Sequence, residues 1–220
     1  MNVKFQGKNL SFQLDTEADQ SVYEEIFVDR DYKILDEHLK KAGKIVDIGA
    51  HIGLFAVYAA VMNDGAEIYS FETDERNFAL LKNHLKENRI RNVKAKNVAV
   101  GAKDGVREFF ISEDSHNHSF FVEGESKKVN VLGAKKMMDR VGHCDVLKID
   151  CEGAEFEIIG EMGSELSAFA DTVYIEYHLF DSEMNFDSMK QQMKSLYKRV
   201  EVFPSRYDKR MGLLFATNHI

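Results

Sequence analysis

The chain has 220 residues, 44% of them hydrophobic, and 37 acidic against 29 basic side chains give it a formal charge of −8. That length supports one α/β domain with a full core and no need of disulfide or metal staples, and the acidic balance disfavours a nucleic-acid partner, whose phosphates call for a basic field. Two cysteines, Cys144 and Cys151, with no secretory leader at the start, imply free thiols and a reducing, cytoplasmic setting, and no apolar helical run approaches the ~20 residues of a bilayer span.

In chain order, Val3-Lys4-Phe5 and Leu10-Ser11-Phe12-Gln13-Leu14 alternate around Gly7-Lys8-Asn9, which predicts a hairpin. Val22, Tyr23, Ile26 and Phe27 then recur at helical spacing, and a further helix stops near Gly43. This N-terminal extension, residues 1–43, is expected to cover one end of a sheet. From Lys44 the rhythm is regular: strand 44–48, helix 53–62, strand 66–71, helix 74–88 and strand 93–99. Phe78, Leu81, Leu85 and Asn88 form the inward face of the second of these helices. Alternation at these lengths implies right-handed crossovers and a parallel sheet. Residues 101–131 break the rhythm and read as an antiparallel insertion within a single domain spanning 1–220, with a loop at its tip. After a short helix around Met137-Met138 come strand 146–150, helix 154–162, strand 172–178, helix 186–197, and a closing antiparallel pair, 200–203 with 210–217. The basic cluster Lys82, Lys86, Arg89, Arg91, Lys94 and Lys96 is interleaved with acids and apolar residues, as on a solvated helix face.

Chemistry concentrates at the carboxyl ends of the strands, where open α/β sheets bind ligands. Ile45-Val46-Asp47-Ile48-Gly49-Ala50-His51-Ile52-Gly53 is a buried strand running into a glycine turn and a helix. Glu72, at the tip of the next strand, follows Gly49 by 23 positions. Glycine lets backbone approach a ligand where a Cβ would collide, and an acid about 20 residues on is placed to accept hydrogen bonds from ribose hydroxyls. The pair therefore points to a nucleoside cofactor. His51 stands at the middle glycine of the dinucleotide fingerprint, which argues against a pyrophosphate-bearing cofactor. A purely steric need for glycine in a strand-to-helix turn is the plainer alternative. Other polar strand ends are Asn97-Val98-Ala99, Lys148 with Asp150-Cys151-Glu152-Gly153, and Glu176-Tyr177-His178.

Several of these segments, in order and at matching spacing, resemble the FkbM family of class I S-adenosylmethionine-dependent methyltransferases. They are Val46-Asp47-Ile48-Gly49-Ala50 with Ile52-Gly53, Ser70-Phe71-Glu72, Asn97-Val98-Ala99-Val100-Gly101, Leu147-Lys148-Ile149-Asp150 with Glu152-Gly153-Ala154-Glu155, and Ile175-Glu176 with His178. The match runs over roughly residues 30 to 180. His51 departs from the family's usual Asn and changes a loop contact, not the cofactor. Cys151 stands where an aliphatic residue is usual. The resemblance implies a Rossmann-like fold: a seven-stranded, mostly parallel sheet with helices on both faces and a terminal antiparallel hairpin. It implies S-adenosyl-L-methionine bound by Asp47, Gly49, Ala50, His51, Gly53, Phe71, Glu72, Asn97, Val98, Ala99 and Asp150. It also implies methyl transfer to a hydroxyl of a sugar, lipid-linked or natural-product acceptor. The single proline, Pro204, leaves no Asp/Asn-Pro-Pro motif of the kind amine and base methyltransferases carry. An RNA methyltransferase and a non-catalytic S-adenosylmethionine-binding module are the alternatives.

An alcohol needs a base as it attacks. His178 is the natural one near neutral pH, with Asp150 and Glu152 as substitutes for it, or as groups that orient it or hold the acceptor. Asp150, Glu152 and His178, joined by His116 and His118, would also suit a hard cation; this ranks below the base mechanism, and no metal is assigned. The stretch from Ser112 to Phe121 is expected on the acceptor side, with Phe109, Phe110, Phe120 and Phe121 either in the core or lining an acceptor pocket.

Overall fold

The structure is a computed structural model and describes residues 1–111, 125–180, 185–205 and 208–219. Contacts divide the chain into two compact units, Met1–Asn97 and Val98–Ile220.

The first unit opens with β1 (Asn2–Phe5) and β2 (Lys8–Ser11), an antiparallel pair in which Phe5 faces Lys8. Gln6 and Gly7 both take positive φ, 48° and 76°, the conformation a tight hairpin turn demands. Helix α1 (Glu17–Tyr23) starts in a capping box: the Thr16 hydroxyl accepts from the Asp19 amide and the Asp19 carboxylate accepts from Thr16. A π-helical turn (Glu24–Asp29), a 3-10 turn (Asp31–Leu35) and α2 (Asp36–Lys41) complete the extension.

Next come β3 (Lys44–Ile48), α3 (Leu54–Met62), β4 (Glu67–Glu72), α4 (Glu75–Glu87) and β5 (Val93–Asn97). The three strands run parallel in the order β3-β4-β5, with Ile48 beside Phe71 and Glu72 beside Asn97. Every residue of α3 from Leu54 to Val61 is buried, because α2, α4 and the π-helical turn all pack on it; a helix that is apolar all round requires such cover. The inward face of α4 is Asn77, Leu80, Leu81, His84 and Leu85. Phe78 and Asn88, expected on that stripe, sit at its half-buried margins.

The second unit holds β6 (Ala99–Gly101), β7 (Gly105–Ile111), β8 (Glu125–Gly133), α5 (Ala134–Val141), β9 (Cys144–Ile149), α6 (Glu155–Met162), α7 (Leu166–Phe169), β10 (Ala170–His178), α8 (Phe186–Leu196), β11 (Arg199–Pro204) and β12 (Met211–Thr217). Here β9 and β10 are parallel, and β12 pairs antiparallel with both β10 and β11. The main sheet has seven strands and is mostly parallel.

Two details depart from the sequence reading. The strand expected over 93–99 ends at Asn97, and Ala99–Gly101 joins a separate three-stranded sheet instead. That sheet, β6-β8-β7, is antiparallel between β7 and β8 but parallel between β6 and β8, so the region is not wholly antiparallel. Phe109 and Phe110 lie in β7, in register with Lys127 and Ser126. Residues 112–121, with His116, His118, Phe120 and Phe121, fall outside the described residues. Both cysteines are free thiols. Among the described residues no helix is long and apolar enough to cross a membrane.

Candidate functional site

In the first unit the site is built around the turn that follows β3. Asp47 is fully buried and accepts a bond from the Ser70 hydroxyl at 3.3 Å. The Gly49 and Ala50 amides both donate to the Phe71 carbonyl, each at 3.0 Å, which seals the turn against the end of β4. Gly49 (φ 76°), His51 (φ 49°) and Gly53 (φ 84°) are left-handed. Histidine and asparagine enter that region more readily than most side chains, which gives His51 a physical reason to stand where the resembled family carries Asn.

Gly53 has a second constraint. A Cβ there would come within 2.7 Å of Leu81 Cγ, so α3 and α4 approach each other through this position. The plainer steric reading thus holds for Gly53, while Gly49 and Ala50 are the residues whose backbone borders Glu72.

Glu72 is only 7% exposed. Its Oε2 accepts from the His51 amide and its Oε1 from the Asp74 amide, both at 2.7 Å. Two charge-assisted bonds fix the carboxylate before any ligand arrives, and a carboxylate oxygen accepts more than one donor. The group therefore fits a ribose, and a turn of small residues beside it fits a nucleoside without a phosphate. The Asn97 amide donates to the Glu72 and Thr73 carbonyls at 2.9 and 3.1 Å, tying two strand tips together.

Two supports of this turn carry no motif. His84, fully buried on α4, has Nδ1 2.8 Å from the Ile52 carbonyl and receives the Gln13 amide at Nε2, 2.9 Å. An amide can only donate, so Nε2 is the acceptor and the proton sits on Nδ1, donated to Ile52. Burial depresses the His84 pKa and keeps this neutral tautomer in place. Asp19 is fully buried, accepts from Arg76 at 2.6 and 3.3 Å, and lies 3.7 Å from His51 Nε2. Burial pushes its pKa up, but Arg76, the Asp15 amide and His51 outweigh that and hold it below the ordinary range.

In the second unit the site lies at the ends of β9 and β10. Lys148, 2% exposed, sits with Nζ 3.2 Å from Asp150 Oδ2. The turn after Asp150 is forced into left-handed backbone at Glu152 (φ 52°) and Gly153 (φ 99°), a cost that persists where the surroundings over-determine it. The fully buried Glu155, in the first turn of α6, folds back on that turn: Oε1 accepts from the Cys151 amide at 2.8 Å and Oε2 from Gly153 at 2.9 Å. The same Oε1 lies 3.3 Å from His178 Nδ1, while His178 Nε2 lies 3.6 Å from Glu152 Oε2.

Burial alone would lower the pKa of His178, but Glu155, Glu152 and Glu176 overcome it and raise the value well above the ordinary histidine range. Burial, with Glu155 and Asp150 nearby, pushes the pKa of the Cys151 thiol up. Asp150, Glu152 and His178 are brought together, each with a ligating atom within 4.8 Å of the others. Of the remaining expected residues, Ala99 is buried at the start of β6, Val98 is half-buried between β5 and β6, and Phe71 is buried on β4.

The chain is similar in sequence to known methyltransferases. The family model described as "Methyltransferase FkbM domain" matches residues 47–200, more than half of the chain. "Methyltransferase 1" of Beauveria bassiana (strain ARSEF 2860) is 22% identical over 199 residues, covering 79% of this chain and 78% of that protein. The "31-O-demethyl-FK506 methyltransferase FkbM" of Streptomyces tacrolimicus is 30% identical over 96 residues, covering 44% of this chain and 36% of that protein.

Among solved structures, methyltransferase FkbM from Methylobacillus flagellatus KT aligns with a TM-score of 0.54 at 17% identity, over 79% of this chain and 43% of that one. The N-terminal domain of EvdMO1, crystallised in the presence of SAH and D-fucose, aligns at 0.54 and 11%, over 99% of this chain and 90% of that one. The chain thus spans less than half of two of these relatives, and the structural likenesses carry the fold alone. With the glycine turn, the anchored acid at the tip of β4 and a family model covering both units, the chain belongs to the FkbM family of S-adenosylmethionine-dependent methyltransferases.

Proposed function

We propose that the protein methylates a hydroxyl group of a small molecule, of the sugar, lipid-linked or natural-product class. In this reading Asp47, Gly49, Ala50, His51 and Glu72 of the first unit hold the cofactor, and Asp150, Glu152 and His178 hold the acceptor. Bound S-adenosylmethionine supplies a methyl group on a sulfonium, open to in-line displacement. The residues around His178 would hold the acceptor hydroxyl toward that methyl group and take up its proton. Positioning provides most of the rate.

The observation that carries the reading is the buried His178 set between Glu155 and Glu152, beside Asp150. Glu155, Glu152 and Glu176 favour the charged form of His178, so a neighbouring carboxylate is the better placed proton acceptor. The proton therefore goes to a carboxylate, with Glu152 the group of choice and His178 its positioning partner. The Streptomyces tacrolimicus relative, a 31-O-demethyl-FK506 methyltransferase, supports the acceptor class. The decisive measurement is transfer of labelled methyl to a panel of hydroxyl, amine and RNA acceptors. Transfer to hydroxyl acceptors, reduced roughly 100-fold or more in kcat by Glu152→Gln, is expected; transfer to RNA or amines alone defeats the reading.

A further inference from the structure

We propose that Asp150, Glu152 and His178 form a binding site for a divalent cation, with Mn2+ or Mg2+ as the occupant. One oxygen from each carboxylate and one imidazole nitrogen lie within 4.8 Å of one another. Hard cations hold ligands at about 2.0–2.6 Å, so side-chain rotation alone brings the three atoms onto one ion. One nitrogen and two carboxylate oxygens suit Mn2+, and Mg2+ when water completes the shell.

The histidine is already oriented as metal-bound histidines are. Such residues give their second ring N–H to a carboxylate, which fixes the tautomer. His178 Nδ1 faces Glu155 Oε1 at 3.3 Å, so the nitrogen presented toward Glu152, at 3.6 Å, is Nε2. That distance is too long for a good hydrogen bond but suits two ligands of one ion. Glu155 is itself locked by the Cys151 and Gly153 amides, and Phe180 stacks on the imidazole at 5.6 Å between ring centres, with the planes 11° apart. His178 is 2% exposed, so its ring is aimed by the core rather than by solvent. Glu152 itself has left-handed backbone (φ 52°), and its carboxylate lies 3.6 Å from His178 Nε2. Lys148, 3.2 Å from Asp150 Oδ2, limits Asp150 to one oxygen for the ion and weakens the site. Three protein ligands leave coordination positions open for water and for an acceptor oxygen, whose proton a bound cation makes more acidic. This last role rests on the hydroxyl-transfer reading above; the binding site does not.

The test uses the full chain, stripped with chelator and titrated with Mn2+ alone, with free ion followed by electron paramagnetic resonance and heat by calorimetry. One ion per chain is expected. Asp150→Asn and Glu152→Gln are expected to weaken binding at least tenfold, and Glu155→Gln about 10- to 100-fold although it does not touch the ion. Circular dichroism and S-adenosylmethionine affinity report whether each variant has kept its fold. No binding at millimolar Mn2+, or binding that folded Asp150→Asn and Glu152→Gln chains retain unchanged, overturns the site. Methyl transfer by the chelated chain is read separately: if it persists while Mn2+ still binds stoichiometrically, the site stands and only its part in the reaction falls.

Discussion

Glu72 is held by two amides, one from the turn after β3 and one from the connection that follows its own strand, so its charge organises the backbone of both. Replacing it by Gln keeps the shape but puts an NH2 group against one of the two amide donors. Hydrogen bonds to charged groups contribute about 1.5–3 kcal/mol, and about 1.4 kcal/mol is tenfold in affinity. Glu72→Gln is therefore expected to weaken S-adenosylmethionine roughly 10- to 100-fold by calorimetry while the chain stays folded. Gly53 fails for another reason. Gly53→Ala sets a methyl 2.7 Å from Leu81 Cγ at a φ of 84°, and overpacking of this kind costs about 1–3 kcal/mol. Its expected signature is a lower urea midpoint; an unchanged midpoint would mean that α3 and α4 separate freely.

At the scale of elements, α4 anchors the first unit. Asp74 caps it by accepting the Arg76 and Asn77 amides at 2.9 and 3.0 Å. Loss of such a cap costs about 1 kcal/mol, so Asp74→Ala should lower the melting temperature by about 2–4 °C in a chain of this size. The extension is fastened to the same helix. Ser11 and Asn88 exchange bonds at 2.8 and 2.9 Å, Gln13 reaches His84, and Asp19 pairs with Arg76. Breaking a fully buried pair costs about 3–5 kcal/mol, but the Arg76 side chain is 38% exposed and solvent screens part of that. Asp19→Asn is expected to destabilise by about 1–3 kcal/mol in urea. Because Asp19 also lies beside His51, it should loosen S-adenosylmethionine binding as well, which a role confined to capping α1 would not do.

For the molecule as a whole, two buried histidines act on stability from opposite ends of the pH scale. The folded pKa of His84 is depressed, so below the ordinary histidine value of about 6.5 the unfolded chain takes a proton that the folded chain refuses. Its contribution is present above that value and is lost as pH falls toward the depressed one. His178 is the reverse: its folded pKa is raised, so its contribution is present below about 6.5 and is lost as pH rises through the raised value. Urea midpoints measured across pH should show His84→Gln flattening the acid limb and His178→Gln the alkaline limb. If each variant merely lowers the curve uniformly, the titrations are not the cause.

Periodicity and turn chemistry are local, and they sufficed for the alternating elements, the closing hairpin of β11 and β12, the glycine turn and the acid at position 72. They also placed Asp150, Glu152 and His178 at strand ends. What they misjudged followed from distant partners. Val93 to Ala99 is one extended segment by composition, but Asn97 spends its amide on the Glu72 and Thr73 carbonyls, and Ala99 pairs with Val131 in another sheet. The supports went unseen for a related reason. Glu155 was visible only as an acid in a helix's first turn, and Asp19, Arg76 and His84 as ordinary polar residues of amphipathic helices. Local pattern was enough to find the glycine turn and the strand-end carboxylates, since glycine and strand-end acids act through their nearest neighbours. Folding alone put Glu155 against His178, and Asp19 and His84 against the turn after β3. Burial and charge pairing are set by what packs across the chain, not along it.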